Sequence, residues 1–370
     1  MMIETEYKQI LKRIDIIEPI NYASTRNYVN GAVTHLSPYI SRGVISPYQI
    51  FQSLASKSYQ WSEVKSIIQQ LAWREYFQRV WQVKKDNINF DLKQPQTHVV
   101  HKMLPIAVSN PATSIEAIDS AIKNLYHTGY MHNHIRLYVA SIACNIGQAH
   151  WLLPAQWMYY HLLDADWASN ACSWQWVCGT FSSKKYFANQ ENINKYCNSN
   201  QTGTFLDTDY EALPVLPIPM KLVEVNNQKL ITLLPQAKPI NIDLAKPILI
   251  YNSYNIDPEW RKNEIANRIL LLEPSHFEKY PMGSKTIDFI LALSKNIEGI
   301  QVVVSEFADF RKQFTFNKII YKEHPLFNHY QGTCDSRVWM CEDVNGYFPS
   351  FFNYWKRCEP YLIDQFNNLK

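Results

Sequence analysis

The sequence predicts an α plus α/β protein, an all-helical domain followed by a smaller α/β domain with a parallel sheet. Three observations carry this expectation. Apolar residues recur at three- and four-residue spacing from about Ile3 to Tyr210, prolines cluster between 214 and 247, and short β-branched runs alternate with helical stretches beyond them. With 370 residues the chain has room for two cores of ordinary size. We therefore expect a helical domain over 1–213, a proline-rich linker over 214–247 and an α/β domain over 248–370.

In the first region, residues 62–85, 114–127 and 131–147 each place an apolar face at helical period, and Ser114, following Pro111, reads as a helix start. Pro214, Pro217, Pro219, Pro235, Pro239 and Pro247 then interrupt any long element. Beyond them KPILIYN (246–252), RILLLEP (268–274), GIQVVVSE (299–306) and KIIYKE (318–323) read as strands, with SKTIDFILALSKNI (284–297) as a helix between them. Strands separated by helices imply a parallel sheet. Glycine is rare, ten in the chain, and neither GxGxxG nor GxxxxGK[ST] occurs, so this layer lacks the usual phosphate-cradling loops.

Composition narrows the function. No apolar run approaches the roughly 20 residues of a membrane span, and the opening MMIETEYKQILKR has no secretory hydrophobic segment. A soluble, cytoplasmic protein with no membrane partner is expected. The seven cysteines include no CxxC pair, which argues against a disulfide framework, a compact zinc site or an iron–sulfur cluster. Residues 1–210 hold 18 Lys and Arg against 15 Asp and Glu, whereas 211–370 hold 18 of each, so the helical part carries the whole net charge of +3. That excess permits a local phosphate-binding face.

Four stretches carry candidate chemistry. In YASTR…THLSPYISRGVIS (22–46), Thr34, His35 and Ser37 crowd small donors before Pro38, able to hold phosphate oxygens or simply to cap a helix. In QQLAWREYFQRVW (69–81), Gln70, Trp73 and Phe77 share a helical face, which serves a core or stacks on a base. In HTGYMHNHIRLY (127–138), Asn133, Arg136 and Leu137 share a face, and Arg136 finds a natural counter-charge in Asp164. His132 and His134, two apart, point to different sides of a helix, which argues against a metal site. In DADWASNACSWQW (164–176), Asp166, Asn170 and Trp174 align at i, i+4 and i+8 while Trp176 turns elsewhere. Lys184, Lys185 and Lys195 follow among aromatic and amide residues, a mixture that suits a nucleic-acid strand or an ordinary solvated surface.

In this order, THLSPYISRGVIS, LAWREYF, TGYMHNHIRLYVAS and DADWASNACSWQW resemble the FAD-binding helical domain of the photolyase and cryptochrome family, over roughly residues 1–210. The resemblance implies a folded FAD held on its phosphate and ribityl side by Tyr22, Arg26, Thr34, His35, Leu36 and Ser37. Asp164 and Asp166 would face the polar edge of the isoalloxazine, with Arg136 paired to Asp164 and Asn170 beside the flavin N5. It also implies a DNA partner containing pyrimidine dimers, flipped into a pocket walled by Trp73 and Trp176 and contacted by Gln70, Asn133 and Leu137. Trp174 and Trp151 match the inner and middle members of an electron relay.

Departures qualify the match. The relay's outer tryptophan would fall near His98, where this chain has none; Gln70 stands where repairing members carry a glutamate, Leu137 where methionine is frequent, and Cys172 where glycine is common. An amide hydrogen-bonds a dimer but delivers no proton to it. The leading expectation is light-driven repair of cyclobutane pyrimidine dimers, that is, a deoxyribodipyrimidine photolyase. A cryptochrome-like blue-light sensor is the alternative. A six-four lyase would need paired histidines that His132 and His134 do not supply. The family's antenna-type α/β domain ordinarily precedes the flavin domain; here ILLLEPSHFEKYP (269–281) faintly resembles it, implying a rearranged order, with any antenna chromophore unspecified.

Overall fold

Helix α5 (Trp61–Lys84) organises the N-terminal half of the computed structural model, which describes residues 3–314 and 318–370. The Glu63 carboxylate accepts the Gln60 N–H at 2.6 Å and starts the helix. From Leu71 to Trp81 it is buried on nearly every side, because helices pack around it. Before it run α1 (Tyr7–Asp15), α2 (Pro19–Thr25), α3 (Ser37–Ser41) and α4 (Pro47–Ala55). After it come β1 (Leu104–Pro105), α6 (Ile106–Ser109), α7 (Glu116–Thr128) and α8 (Asn133–Ser141), α8 continuing as a wide π turn over Ile142–Ile146. Next are α9 (Leu152–His161), α10 (Trp167–Cys178), α11 (Gln190–Cys197) and α12 (Met220–Val223). Helices α2 and α10 lie directly against α5.

Two local expectations shift. Ser114 is no cap: its backbone is left-handed, with φ 67°, and the Asp119 carboxylate instead accepts from Thr113 N and Oγ1 and from Ser114 N. The 164–176 cluster is helical only from Trp167, with Asp166 as N-cap accepting the Ser169 N–H at 2.7 Å. Asp164 and Asp166 therefore sit on the turn that feeds α10.

Residues 214–247 contain α12 and the short strand β2 (Val225–Asn226), which pairs antiparallel with β1, Leu104 opposite Asn226. Tyr160 Oη donates to the Ile231 carbonyl, and the Met282 N–H to Thr232 Oγ1, so this stretch is tied down along its course.

The C-terminal sheet comprises β3 (Ile248–Tyr251), β4 (Asn267–Leu272), β5 (Ile300–Val304), β6 (Ile319–Lys322) and β7 (Thr333–Asp335), with α13 (Pro274–Lys279), α14 (Ser284–Ser294) and α15 (Phe307–Gln313) in the crossovers. The strands are ordered β5-β4-β3-β6-β7 and all parallel, Leu270 facing Val302 and Leu249 facing Ile320. Chain order reverses beside β3, the switch point of a doubly wound sheet. Strand β3 is wholly buried, as its unbroken apolar run requires. The last helix, α16 (Phe351–Asn368), leaves the sheet and packs along α5 and α4.

The two halves meet through Arg42, fully buried, whose Nη2 donates to the Ala165 carbonyl at 2.7 Å while its guanidinium lies 4.7 Å from the Tyr254 ring centroid. Gly43 makes this approach possible. Its φ is +66°, and a Cβ there would stand 2.4 Å from the Tyr254 carbonyl oxygen. No helix among the described residues is long and apolar enough to cross a membrane.

Candidate functional site

A cavity of about 550 Å³ opens between α2, α3, α5, α8 and α10. Tyr22 and Arg26 enter it from α2, Thr34, His35, Leu36 and Ser37 from the turn into α3, Gln70 and Trp73 from α5, and Asn133, Arg136 and Leu137 from α8. Asp164, Asp166, Asn170, Trp174 and Trp176 complete the wall from α10 and its leading turn. Every residue expected to touch cofactor or substrate thus lines one space. Trp151 does not, being buried behind the wall at the start of α9.

The wall is charge-paired before any ligand is considered. Arg136 meets Asp164 as a fork, Nη1 to Oδ1 at 3.2 Å and Nη2 to Oδ2 at 3.0 Å, and its Nε donates to the Met131 carbonyl. Burial opposes ionisation of Asp164, but the Arg136 charge and the hydrogen bonds from Arg136 and Ser37 prevail and hold its carboxyl below the usual range. Asp166 is engaged differently: Arg74 Nη2 stands 2.5 Å from Oδ2, Gln78 Nε2 donates to the same oxygen at 2.8 Å, and the Ser169 N–H occupies Oδ1. Arg74 and Gln78 are the residues sequence reasoning passed over, although Arg74 stands next to Trp73 in LAWREYF and a buried carboxylate needs such a partner.

Asn170 donates Nδ2 to the Ala155 carbonyl at 2.8 Å, which fixes its amide at the cavity wall. Two buried polar atoms on this wall have no protein partner: Trp174 Nε1 and Ser169 Oγ. Unsatisfied buried groups are costly, and their convergence on one cavity marks a polar ligand. His132 is held neutral, with burial pushing its pKa down to about 4. Its Nδ1 accepts the His134 N–H, and His134 Nδ1 lies 2.9 Å from the Asn27 carbonyl, so each ring is committed to backbone. His35, with φ 53°, holds a strained left-handed backbone at the turn into α3, its ring edge-on to Tyr130. The mixture of guanidinium, hydroxyls, amide, carboxylates and indoles fits a dinucleotide with a polar heteroaromatic ring.

The mouth differs from its depths. Asn133 is exposed and Trp176 is 37% exposed, whereas Trp174 is buried. One face of Trp73 is covered: Phe351 of α16 stacks on it at 3.8 Å and 10°, with Phe352 edge-on beyond. That neighbour comes from 278 positions away and had no signal in sequence. Lys184 and Lys195 are exposed, but Lys185 turns its Nζ to the Thr97 carbonyl. On the relay side, Asn170 of α10 donates to the Ala155 carbonyl of α9, and the two helices pack against each other. His98, where an outer ring was sought, is exposed on a loop with left-handed φ 56°.

A second cavity, about 280 Å³, lies at the switch point of the sheet, between the carboxyl ends of β3 and β6 and helices α4 and α5. Asn255, Arg337 and Ser41 line it with buried polar atoms that lack protein partners. Arg74 and Asp166 border both cavities.

Comparison with known proteins bears on the same residues. The family model described as the FAD binding domain of DNA photolyase matches residues 67–212. A cryptochrome DASH of Danio rerio is 31% identical over 173 residues, 43% of this chain and 32% of the relative. A chloroplastic/mitochondrial cryptochrome DASH of Solanum lycopersicum is 28% identical over 207 residues, 52% of this chain and 35% of its own. A deoxyribodipyrimidine photo-lyase of Streptomyces griseus is 28% identical over 155 residues, 40% and 32% of the two chains. The chain spans about a third of the length of these relatives, and the shared part is the helical half that forms the larger cavity. Residues 67–212, within that half, therefore carry the FAD-binding domain of the photolyase/cryptochrome family.

Proposed function

We propose that the chain repairs cyclobutane pyrimidine dimers in DNA, using light and FAD held in the larger cavity. The observation that carries this reading is the wall itself, where a polar interior with two unpartnered groups leads out to a mouth bearing Trp73, Trp176 and Asn133. When bound and reduced, FAD supplies the light-driven electron that opens the cyclobutane ring.

The protein's own residues position and shield. Tyr22, Arg26 and the Thr34–Ser37 turn would hold the phosphate and ribityl portions, and the Arg136–Asp164 fork would fix the polar edge of the ring system. Asn170 would present its amide at N5. Trp73 and Trp176 would take a flipped dimer between indole faces, since stacking is available to any base. Gln70 and Asn133 would hydrogen-bond it, Leu137 would close its side and Lys184 and Lys195 would meet phosphates. Gln70 carries no exchangeable charge, so it orients the dimer without protonating it. Trp174 and Trp151 would carry an electron inward to ready oxidised FAD.

A photosensor is the second reading, favoured by the stacking of Phe351 on Trp73, which narrows the space beside an indole expected to face DNA. One measurement separates the two. The purified chain is loaded with FAD, reduced, and illuminated with a dimer-containing oligothymidine while ultraviolet absorbance of the bases is followed. Recovery of base absorbance is expected; a normal flavin spectrum with no recovery would remove the repair assignment in favour of the sensor.

A further inference from the structure

We propose that Asp91 is the proton acceptor for Trp151, so that this indole ends the electron path as a neutral radical and needs no third tryptophan beyond it. The inference rests on the reading above that Trp174 and Trp151 pass electrons toward bound FAD.

Trp151 is fully buried, yet its Nε1–H donates to Asp91 Oδ1 at 2.8 Å. The carboxylate is held for this contact: its Oδ2 accepts the Gln96 N–H at 2.8 Å, and Gln96 in turn accepts the Trp151 backbone N–H through Oε1 at 3.0 Å and donates Nε2 to the Ala149 carbonyl. The 91–96 loop therefore grips both backbone and indole of one residue. His150 Nε2 stands 3.5 Å from the same Oδ1, and its ring is 5.9 Å from the Trp151 ring.

Trp174 is the opposite case. Its Nε1–H meets no carboxylate of the protein among the described residues and lies at the wall of the cofactor cavity instead. An anion hydrogen-bonded to an indole lowers the cost of positive charge there, which favours Trp151 over Trp174 as the resting place of the electron deficit. The indole radical cation is a far stronger acid than indole, and the proton has a short bond to follow. Bound FAD would supply the light-driven oxidant; Trp174 would give up one electron to it and one from Trp151 would replace it. The Trp151 Nε1–H bond then breaks and an O–H bond forms on Asp91 Oδ1, leaving a neutral indolyl radical and a carboxylic acid. The Asp91 side chain, 23% exposed, releases the proton to solvent. A soluble thiol returns an electron and a proton to Trp151, two turnovers converting two thiols to one disulfide.

The test is transient absorption of the full FAD-loaded chain in H₂O and D₂O, following conversion of the tryptophan cation band to the neutral-radical band. The wild type is expected to convert quickly and to slow in D₂O. Asp91→Asn, which keeps an acceptor oxygen but not a base, is expected to prolong the cation at least about tenfold, and Asp91→Glu to restore conversion. Asp86→Asn, on an exposed carboxylate, is expected to change nothing. Equal cation lifetimes in the wild type and a flavin-loaded Asp91→Asn, or a wild-type conversion insensitive to D₂O, would overturn the proposal. Failure of the wild type to take up FAD or to yield any tryptophan radical would reject the functional reading instead.

Discussion

Removing Arg136 tests the electrostatic frame of the larger cavity. The Arg136→Met variant keeps most of the aliphatic volume but leaves the Asp164 carboxylate, whose side chain is 10% exposed, without its two-point partner. Stranding one member of a buried pair costs about 3–5 kcal/mol. The Arg136 side chain is 20% exposed, and Ser37 and Arg74 still favour the Asp164 charge, so a loss of about 2–3 kcal/mol is expected. The pH dependence follows from the depressed carboxyl of Asp164, whose ordinary value is 3.8. The unfolded chain takes up the proton first as pH falls, so the pair's contribution is complete above 3.8 and disappears as pH drops through the lower folded value. Chemical denaturation at pH 7 of the wild type, Arg136→Met, Asp164→Asn and the double variant forms a cycle. A coupling of about 1–3 kcal/mol is expected at pH 7 and a smaller one near pH 3. Additive single variants, or a coupling that grows on acidification, would refute the assignment of this fork as the cavity's stabilising pair.

Three further outcomes follow from named contacts. Glu75, buried, accepts from Met340 N, Cys341 N and Tyr354 Oη, while burial raises its carboxyl pKa, so Glu75→Ala strands three donors and is expected to cost about 3 kcal/mol; limited proteolysis should cut the 339–350 stretch faster in the variant. Phe351→Ala frees the outer face of Trp73, and fluorescence titration with dimer-containing oligothymidine should read a several-fold change in affinity, whereas unaltered binding would place Trp73 outside the substrate path. Gly43→Ala forces a Cβ to within 2.4 Å of the Tyr254 carbonyl at a positive φ, and thermal unfolding should fall by several degrees, about 2 kcal/mol.

The local half of this protein was legible in the chain. Helical period over 61–84 and 133–141 and β-branched runs at 248–251 and 267–272 express backbone preferences and burial that each segment carries by itself. The motif order from Thr34 to Trp176 also announced a shared wall, because i, i+3 and i+4 spacing decides which side chains stand together on one helix. Pairing of Arg136 with Asp164 was readable for a similar reason, since a buried guanidinium admits few partners.

What depended on assembly lay beyond such rules. The Phe351 stack on Trp73, the Arg42 crossing to Tyr254 and the Asp91 contact to Trp151 join residues 278, 212 and 60 positions apart, and no local periodicity encodes them. The same holds for Asp166, whose charge is taken up by Arg74 and Gln78 once α5 lies against the turn before α10. Sequence alone determined which faces would be apolar and which residues could bear charge. Only the tertiary structure decided which partner satisfied each buried polar group, because that choice is made by distance after the chain has closed.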